Sequence, residues 1–227
     1  MQLICFRSSF CLSLAKYRSM IQESDYQHIE QTYDEGSKAY SDYFKTPHEF
    51  IEEERQQFID RLPPGSKILD CGCGPGIDTE RFSRLGDKVT AIDVSDRFVE
   101  FTKKRVPSAE VQKMDMRHLE FAEGSFDGVW SSFSLLHIRE RDTERTLSAF
   151  KSVLRGRGLF FAGLHRGPNT DWVKRPISGM ERATYLQEWV QSDIESVVRA
   201  AGFKIIVSRP FERKGGRYPL LSILAHT

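Results

Sequence analysis

The sequence has no apolar run approaching the roughly 18 residues that a membrane-spanning helix needs. Only 39% of its 227 residues are hydrophobic. It also lacks any block of five or six like charges: 33 Lys and Arg stand against 32 Asp and Glu, a formal net charge of +1. A basic track for nucleic acid or for an anionic lipid surface is therefore not expected. Cysteine is scarce as well. The four present, Cys5, Cys11, Cys71 and Cys73, form no C-x-x-C pair, which argues against a zinc or disulfide framework and for a reducing, cytoplasmic compartment.

The first nineteen residues, MQLICFRSSFCLSLAKYRS, carry Arg7, Lys16 and Arg18 but no acid. Transit peptides share that composition, and so does an incidental extension ahead of Met20, where ordinary polar composition begins. Residues 1–22 are treated as an N-terminal extension, and residues 23–227 as one domain.

Two helices are expected ahead of residue 63, over 25–44 and 48–62, where apolar residues recur at helical spacing among Glu, Gln and Lys. Pro63, Pro64 and Gly65 end the second. Strand and helix then alternate: SKILD, TERFSRL, KVTAIDV, SDRFVEFTKKR with Ser95 as N-cap, AEVQKM, FDGVWSS, ERDTERTLSAFKSVL and GLFFAGL. Such alternation predicts an α/β doubly wound, mostly parallel sheet covered on both faces. The rhythm lapses after Leu164, so residues 165–190 are expected to form a lid or an acceptor-binding segment. ERATYLQEWVQSDIESVVRAAG, residues 181–202, reads as helical. FKIIVSRP and YPLLSILAHT, joined by FERKGGR, read as a closing hairpin that makes the last strand antiparallel.

Chemistry concentrates in ILDCGCGPGIDT, residues 68–79. Glycines at 72, 74 and 76 follow a strand ending at Asp70, where open parallel sheets bind ligands at a helix N-terminus. Asp93 ends the next strand, 17 residues after Gly76, placed to accept from a ribose diol. Loop and acid together imply an adenosine-containing ligand. The dinucleotide fingerprint G-x-G-x-x-G would need glycine at 77, where the sequence has Ile77.

The pattern Asp70-x-Gly72-x-Gly74-x-Gly76 resembles motif I of the class I S-adenosylmethionine (SAM)-dependent methyltransferases, and the likeness runs from about Ser66 to Leu164. The resemblance implies a Rossmann-like, seven-stranded sheet with an antiparallel last strand, SAM as cofactor and S-adenosylhomocysteine as product. It further implies that Gly72 and Gly74 cradle the methionine part of SAM, that Asp70 steadies the loop, and that Asp93 holds the ribose with Val94 against the adenine. Asp115 would accept from the adenine amino group, the Met116 N–H would reach a ring nitrogen, and the Ser131 carbonyl would meet the methionine amino group. FDGVWSSFSLLHI resembles the branch acting on small molecules, including the ubiquinone and menaquinone biosynthesis methyltransferases. TYDEGSKAYSDYF is similar to a cofactor-covering helix there, making Tyr33 and Tyr40 candidates for the SAM carboxylate or the substrate. Leu136-His137 departs from the His pair of many relatives.

Methyl transfer from a sulfonium needs alignment more than a nucleophile. Should the acceptor need a base, His165 beyond the fifth strand is the first candidate and His137 the second. Trp172, Tyr185 and Trp189 are candidates to wall an apolar acceptor pocket. SSFS stands where enzymes acting on nucleic-acid bases carry an Asn/Asp-Pro-Pro-aromatic turn, and the strand ends lack the acids of a metal-dependent catechol enzyme, so no metal is expected. The expected partner is a small-molecule acceptor, with neither nucleic acid nor a membrane span, on a monomer or homodimer. Two rivals stand beside this reading: a nicotinamide-dependent oxidoreductase, and a non-catalytic SAM-binding or protein-interaction member of the fold.

Overall fold

The computed structural model describes residues 23–44, 49–174, 180–213 and 218–227. The N-terminal segment 1–19 read above as targeting or extension lies outside them. Helix α1 (Glu23–Tyr43) is followed by a 3-10 turn (Glu49–Ile51) and α2 (Glu52–Ile59). Then come β1 (Lys67–Cys71), α3 (Ile77–Arg84), β2 (Lys88–Asp93), α4 (Asp96–Arg105), β3 (Glu110–Lys113), β4 (Phe126–Ser132), a 3-10 turn (Leu135–His137), α5 (Glu140–Val153) and β5 (Leu154–Arg166). The chain closes with β6 (Thr170–Lys174), β7 (Ala183–Trp189), α6 (Gln191–Ala200), β8 (Lys204–Phe211) and β9 (Leu220–His226).

Strands β3, β2, β1, β4 and β5 pair in parallel in that order. Strand β9 runs antiparallel to β5, and β8 antiparallel to β9. These seven strands are the expected sheet with its antiparallel last strand. Ser95 caps α4 as expected, its hydroxyl accepting from Phe98 N–H at 3.2 Å.

Successive residues of a strand face opposite sides, and here both sides are apolar and covered. Leu69, Val129, Phe160 and Ile223 bury into one layer with Leu147, Phe150, Ile194 and Val198 of α5 and α6. Their neighbours Ile68, Trp130, Phe161 and Leu224 bury into the other with Phe58 and Phe82 of α2 and α3. Trp130 stacks on Phe161 with ring centroids 3.9 Å apart, and its indole N–H donates to Asp78 at 2.9 Å. That layout explains the unbroken apolar runs of the central strands.

Residues 181–202 are not one helix. Ala183–Trp189 form β7, and only Gln191–Ala200 are helical. Strand β7 meets the carboxyl end of β5 through His165↔Glu188 and Arg166↔Trp189, and pairs antiparallel with β6. The two strands add to the sheet of seven. Tyr185 and Trp189, four apart, lie on one face of a strand as well as of a helix, so their spacing could not separate the two. Among the described residues no helix is long and apolar enough to cross a membrane.

Candidate functional site

Three glycines shape the loop after β1, two of them packed against side chains and one facing open space. All have positive φ, +73° at Gly72, +52° at Gly74 and +79° at Gly76. A Cβ on Gly72 would stand 2.4 Å from the Ser134 Cβ, and one on Gly76 2.7 Å from Thr102 Oγ1. A Cβ on Gly74 would meet nothing nearer than the Tyr40 ring at 4.0 Å. The bare backbone of Gly74 therefore faces open space, where a side chain would intrude. Asp70 lies beneath, 2% exposed, accepting from the Thr79 hydroxyl at 2.6 Å. Burial, reinforced by Asp78 and Asp93, lifts its carboxyl to about 8.

The loop forms the floor of a cavity of about 220 Å³. Asp93 faces it, with Oδ2 accepting from Gly74 N–H and Oδ1 from Ser95 N–H, both at 2.9 Å. Burial raises this carboxyl to about 6, opposed by those backbone donors. Each oxygen keeps acceptor capacity for a ligand hydroxyl.

Helix α1 forms the roof. Tyr26, Ile29, Tyr33 and Tyr40 recur at helical spacing and line the cavity from above. Salt links tie α1 down at its rim: Glu23 to Arg117, Asp25 to Arg139 and Glu30 to Lys113. Asp34 accepts from Ser95 Oγ and from Arg97 N–H at the N-terminus of α4. In the roof, His137 Nδ1 is 2.7 Å from the Tyr185 carbonyl oxygen, which only accepts. The ring proton is therefore assigned to Nδ1, and Nε2 accepts from the Tyr33 hydroxyl at 2.9 Å. Both side chains line the cavity.

Residues 68–158 match the family model described as "Methyltransferase domain". That stretch is a SAM-dependent methyltransferase domain. An uncharacterized methyltransferase of Synechocystis is 29% identical over 64% of this chain and 70% of its own length. The O-methyltransferase cnsE of Penicillium expansum is 33% identical over 64% of this chain and 55% of its own. Several further curated relatives are spanned over about half their length. A solved Burkholderia thailandensis 1,6-didemethyltoxoflavin-N1-methyltransferase shares the fold, at TM-score 0.67 and 19% identity, covering 99% of this chain and 93% of its own. SAM is the cofactor of this methyltransferase domain. The open Gly74 backbone and the inward Asp93 carboxylate fit it: Gly72, Gly74, Asp93, Val94, Asp115 and Met116 all line the one cavity.

Two residues expected at the methyltransferase site, Ser131 and His165, do not line this cavity. Ser131 is fully buried beneath the cavity lining, its hydroxyl 2.8 Å from Ser134 Oγ and accepting from Leu135 N–H. Ser132, Phe133 and Ser134 line the cavity in its stead, because the chain turns sharply after β4. Asp70, expected to steady the loop, lies buried beneath it. His165 is one ring removed, stacked on Tyr218 at 4.5 Å and 6.1 Å from the Phe133 ring. Among the described residues His137 is the histidine that lines the cavity.

The late aromatic residues do not wall this cavity either. Trp172 meets His28 edge-on at 4.8 Å, Tyr185 lies under the Arg139 guanidinium at 3.4 Å, and Trp189 is buried in the larger core layer. The described part of the 165–190 segment supports α1 from outside: His28 Nε2 and Thr32 Oγ1 both bond the Ala183 carbonyl. Residues 175–179 lie outside the described residues.

Sequence reasoning missed Arg117. It is 7% exposed, clamps both oxygens of Asp115 at 2.5–2.8 Å, reaches Glu23, and lies 3.5 Å under the Tyr26 ring. Its place two residues after Asp115 was the available signal. Phe133 was also missed. It is a non-glycine residue at φ +57°, held by its N–H donating to the Gly163 carbonyl at 3.0 Å. Such a conformation costs about 1–3 kcal/mol and persists where packing over-determines it. No local residue pattern in SSFS announces it.

Proposed function

We propose that this protein transfers the methyl group of SAM to a small-molecule acceptor inside the cavity under α1. The observation that carries the reading is the roof: Tyr26, Tyr33 and Tyr40 enclose the space above the glycine loop, so an acceptor must enter it whole or in large part. Names of matched relatives support the class. They include a magnesium-protoporphyrin O-methyltransferase of Rhodobacter capsulatus and a ubiquinone biosynthesis O-methyltransferase of Xanthomonas campestris.

SAM, when bound, supplies a methyl group already activated on a sulfonium. The chain's contribution is to hold and align. Gly72 and Gly74 offer backbone, Asp93 accepts hydroxyls, and Val94, Met116 and Phe98 exclude water. Well-oriented donor and acceptor draw roughly 7–11 kcal/mol from such positioning. Where the acceptor is a hydroxyl, Tyr33 and His137 form a proton path. The Tyr33 oxygen accepts the acceptor's proton as its own passes to His137 Nε2, and the Tyr185 carbonyl holds the imidazolium Nδ1–H.

The test is a screen of aromatic and quinone-like acceptors with methyl-labelled SAM, run beside Asp93→Ala. Labelled product from the native protein, lost in the variant, is the expected outcome. SAM binding by calorimetry without label transfer to any acceptor would instead favour a non-catalytic member.

A further inference from the structure

Helix α1 ends near Gly74, where the resemblance places the methionine part of SAM, and from the cavity lining two rows of rings lead outward. Tyr40 lines the cavity and packs on Phe44 at 4.6 Å. On the far side Phe133 lines it and packs on Phe50 at 5.8 Å. Between these two arms stands Arg213. Its guanidinium carbon lies 5.7 Å from the Tyr43 and Phe44 ring centres and 5.2 Å from that of Phe50. Nη2 donates to the Tyr43 hydroxyl at 3.5 Å.

Arg213 differs from the other arginines that are at least partly buried. Arg55 pairs with Glu52 and Asp78, Arg117 with Asp115 and Glu23, Arg139 with Asp25, and Arg209, on β8, with Glu53 and Glu54. Among the described residues Arg213 has no carboxylate partner, and rings surround it instead. Aromatic faces hold a guanidinium in place while leaving its forked N–H donors for a planar anion.

We propose that Arg213 recognises the carboxylate of the methyl acceptor, and that the acceptor is a planar aromatic acid whose ring lies along the Tyr40–Phe44 and Phe50–Phe133 arms. This rests on the reading of the cavity as a small-molecule methyltransferase site. An aromatic acid satisfies both observations at once, rings against rings and carboxylate on the fork. A neutral quinone would leave the guanidinium without an anion.

Binding separates this proposal from turnover. Benzoate, 4-hydroxybenzoate and 6-hydroxy-2-naphthoate, each paired with its carboxamide, are titrated by calorimetry into the full chain saturated with S-adenosylhomocysteine. The acids are expected to bind at least tenfold more tightly than the amides, the hydroxynaphthoate tightest. Arg213→Gln abolishes that preference without changing affinity for S-adenosylhomocysteine, and Arg213→Lys keeps part of it. Equal binding of acids and amides, an unchanged preference in Arg213→Gln, or no binding by either series overturns the proposal. Methyl transfer to other acceptors would then still uphold the wider functional reading. Conversely, acid binding without transfer of labelled methyl to any acceptor would uphold Arg213 and sink the enzymatic reading.

Discussion

Single side chains carry the electrostatics of this site, and two buried acids make it pH-sensitive in opposite senses. Asp93 must be ionised to accept from hydroxyls, and its carboxyl sits at about 6. SAM affinity is therefore expected to fall by up to about tenfold per unit below pH 6 and to level off above it. Calorimetry from pH 5 to 8 measures this, and Asp93→Asn should bind weakly with no such dependence. Asp70 acts on stability instead. Its carboxyl lies at about 8 in the fold against 3.8 for an unperturbed aspartate. The folded chain thus holds the proton more tightly across that window, and stability falls as pH rises through it, by at most about 1.4 kcal/mol per unit. Urea midpoints at pH 6.5 and 8 should differ in the native protein, and less so in Asp70→Asn. Asp93 and the glycines were legible as residues because backbone conformation and charge leave a local pattern. Phe133 and Arg117 were not, nor was it legible that His137, the second candidate, lines the cavity while His165 does not, because each takes its place from a turn or from contact with a distant element.

At the scale of elements, the packing of α2 on the sheet depends on the lack of a side chain at Gly128. A Cβ there would stand 2.6 Å from the Phe58 ring, which is fully buried against Trp130. A rigid ring cannot yield as a flexible chain end would. Gly128→Ala is expected to cost about 1–3 kcal/mol, read from denaturant unfolding. The roof depends on Arg117. Arg117→Met leaves Asp115 without its clamp and Glu23 without its tie, a loss of about 1–3 kcal/mol after allowance for the solvent around Glu23. Weaker SAM binding should accompany it. Helices and strands up to Leu164 were readable because period and breakers agree there. The β6–β7 pair was not, because TYLQEW is buried on both faces and so shows no alternation, while its aromatic spacing suits either period.

For the whole molecule, the division between fixed and moving parts follows from how each is held. The roof helix is tied at its rim by ion pairs whose acids include exposed Glu23. Strand β7 instead buries Tyr185, Leu186 and Trp189. Opening should therefore occur at α1. Amide exchange with and without S-adenosylhomocysteine is expected to show new protection over residues 23–43 and little over 183–189. Protection confined to β6 and β7 would instead place the lid in the 165–190 segment.

The sequence by itself determined the alternation of strands and helices, the glycine loop, the acid at Asp93 and the choice of SAM over a dinucleotide. Each is written in neighbours a few residues apart, where backbone geometry and period act directly. Tertiary structure alone decided which side chains share the cavity. Helix α1 brings Tyr33 onto His137, 104 residues away, and the closing strands bring Arg213 to the rings of Tyr43 and Phe50. Such meetings arise from the packing of whole layers, for which no short stretch of chain carries a signal.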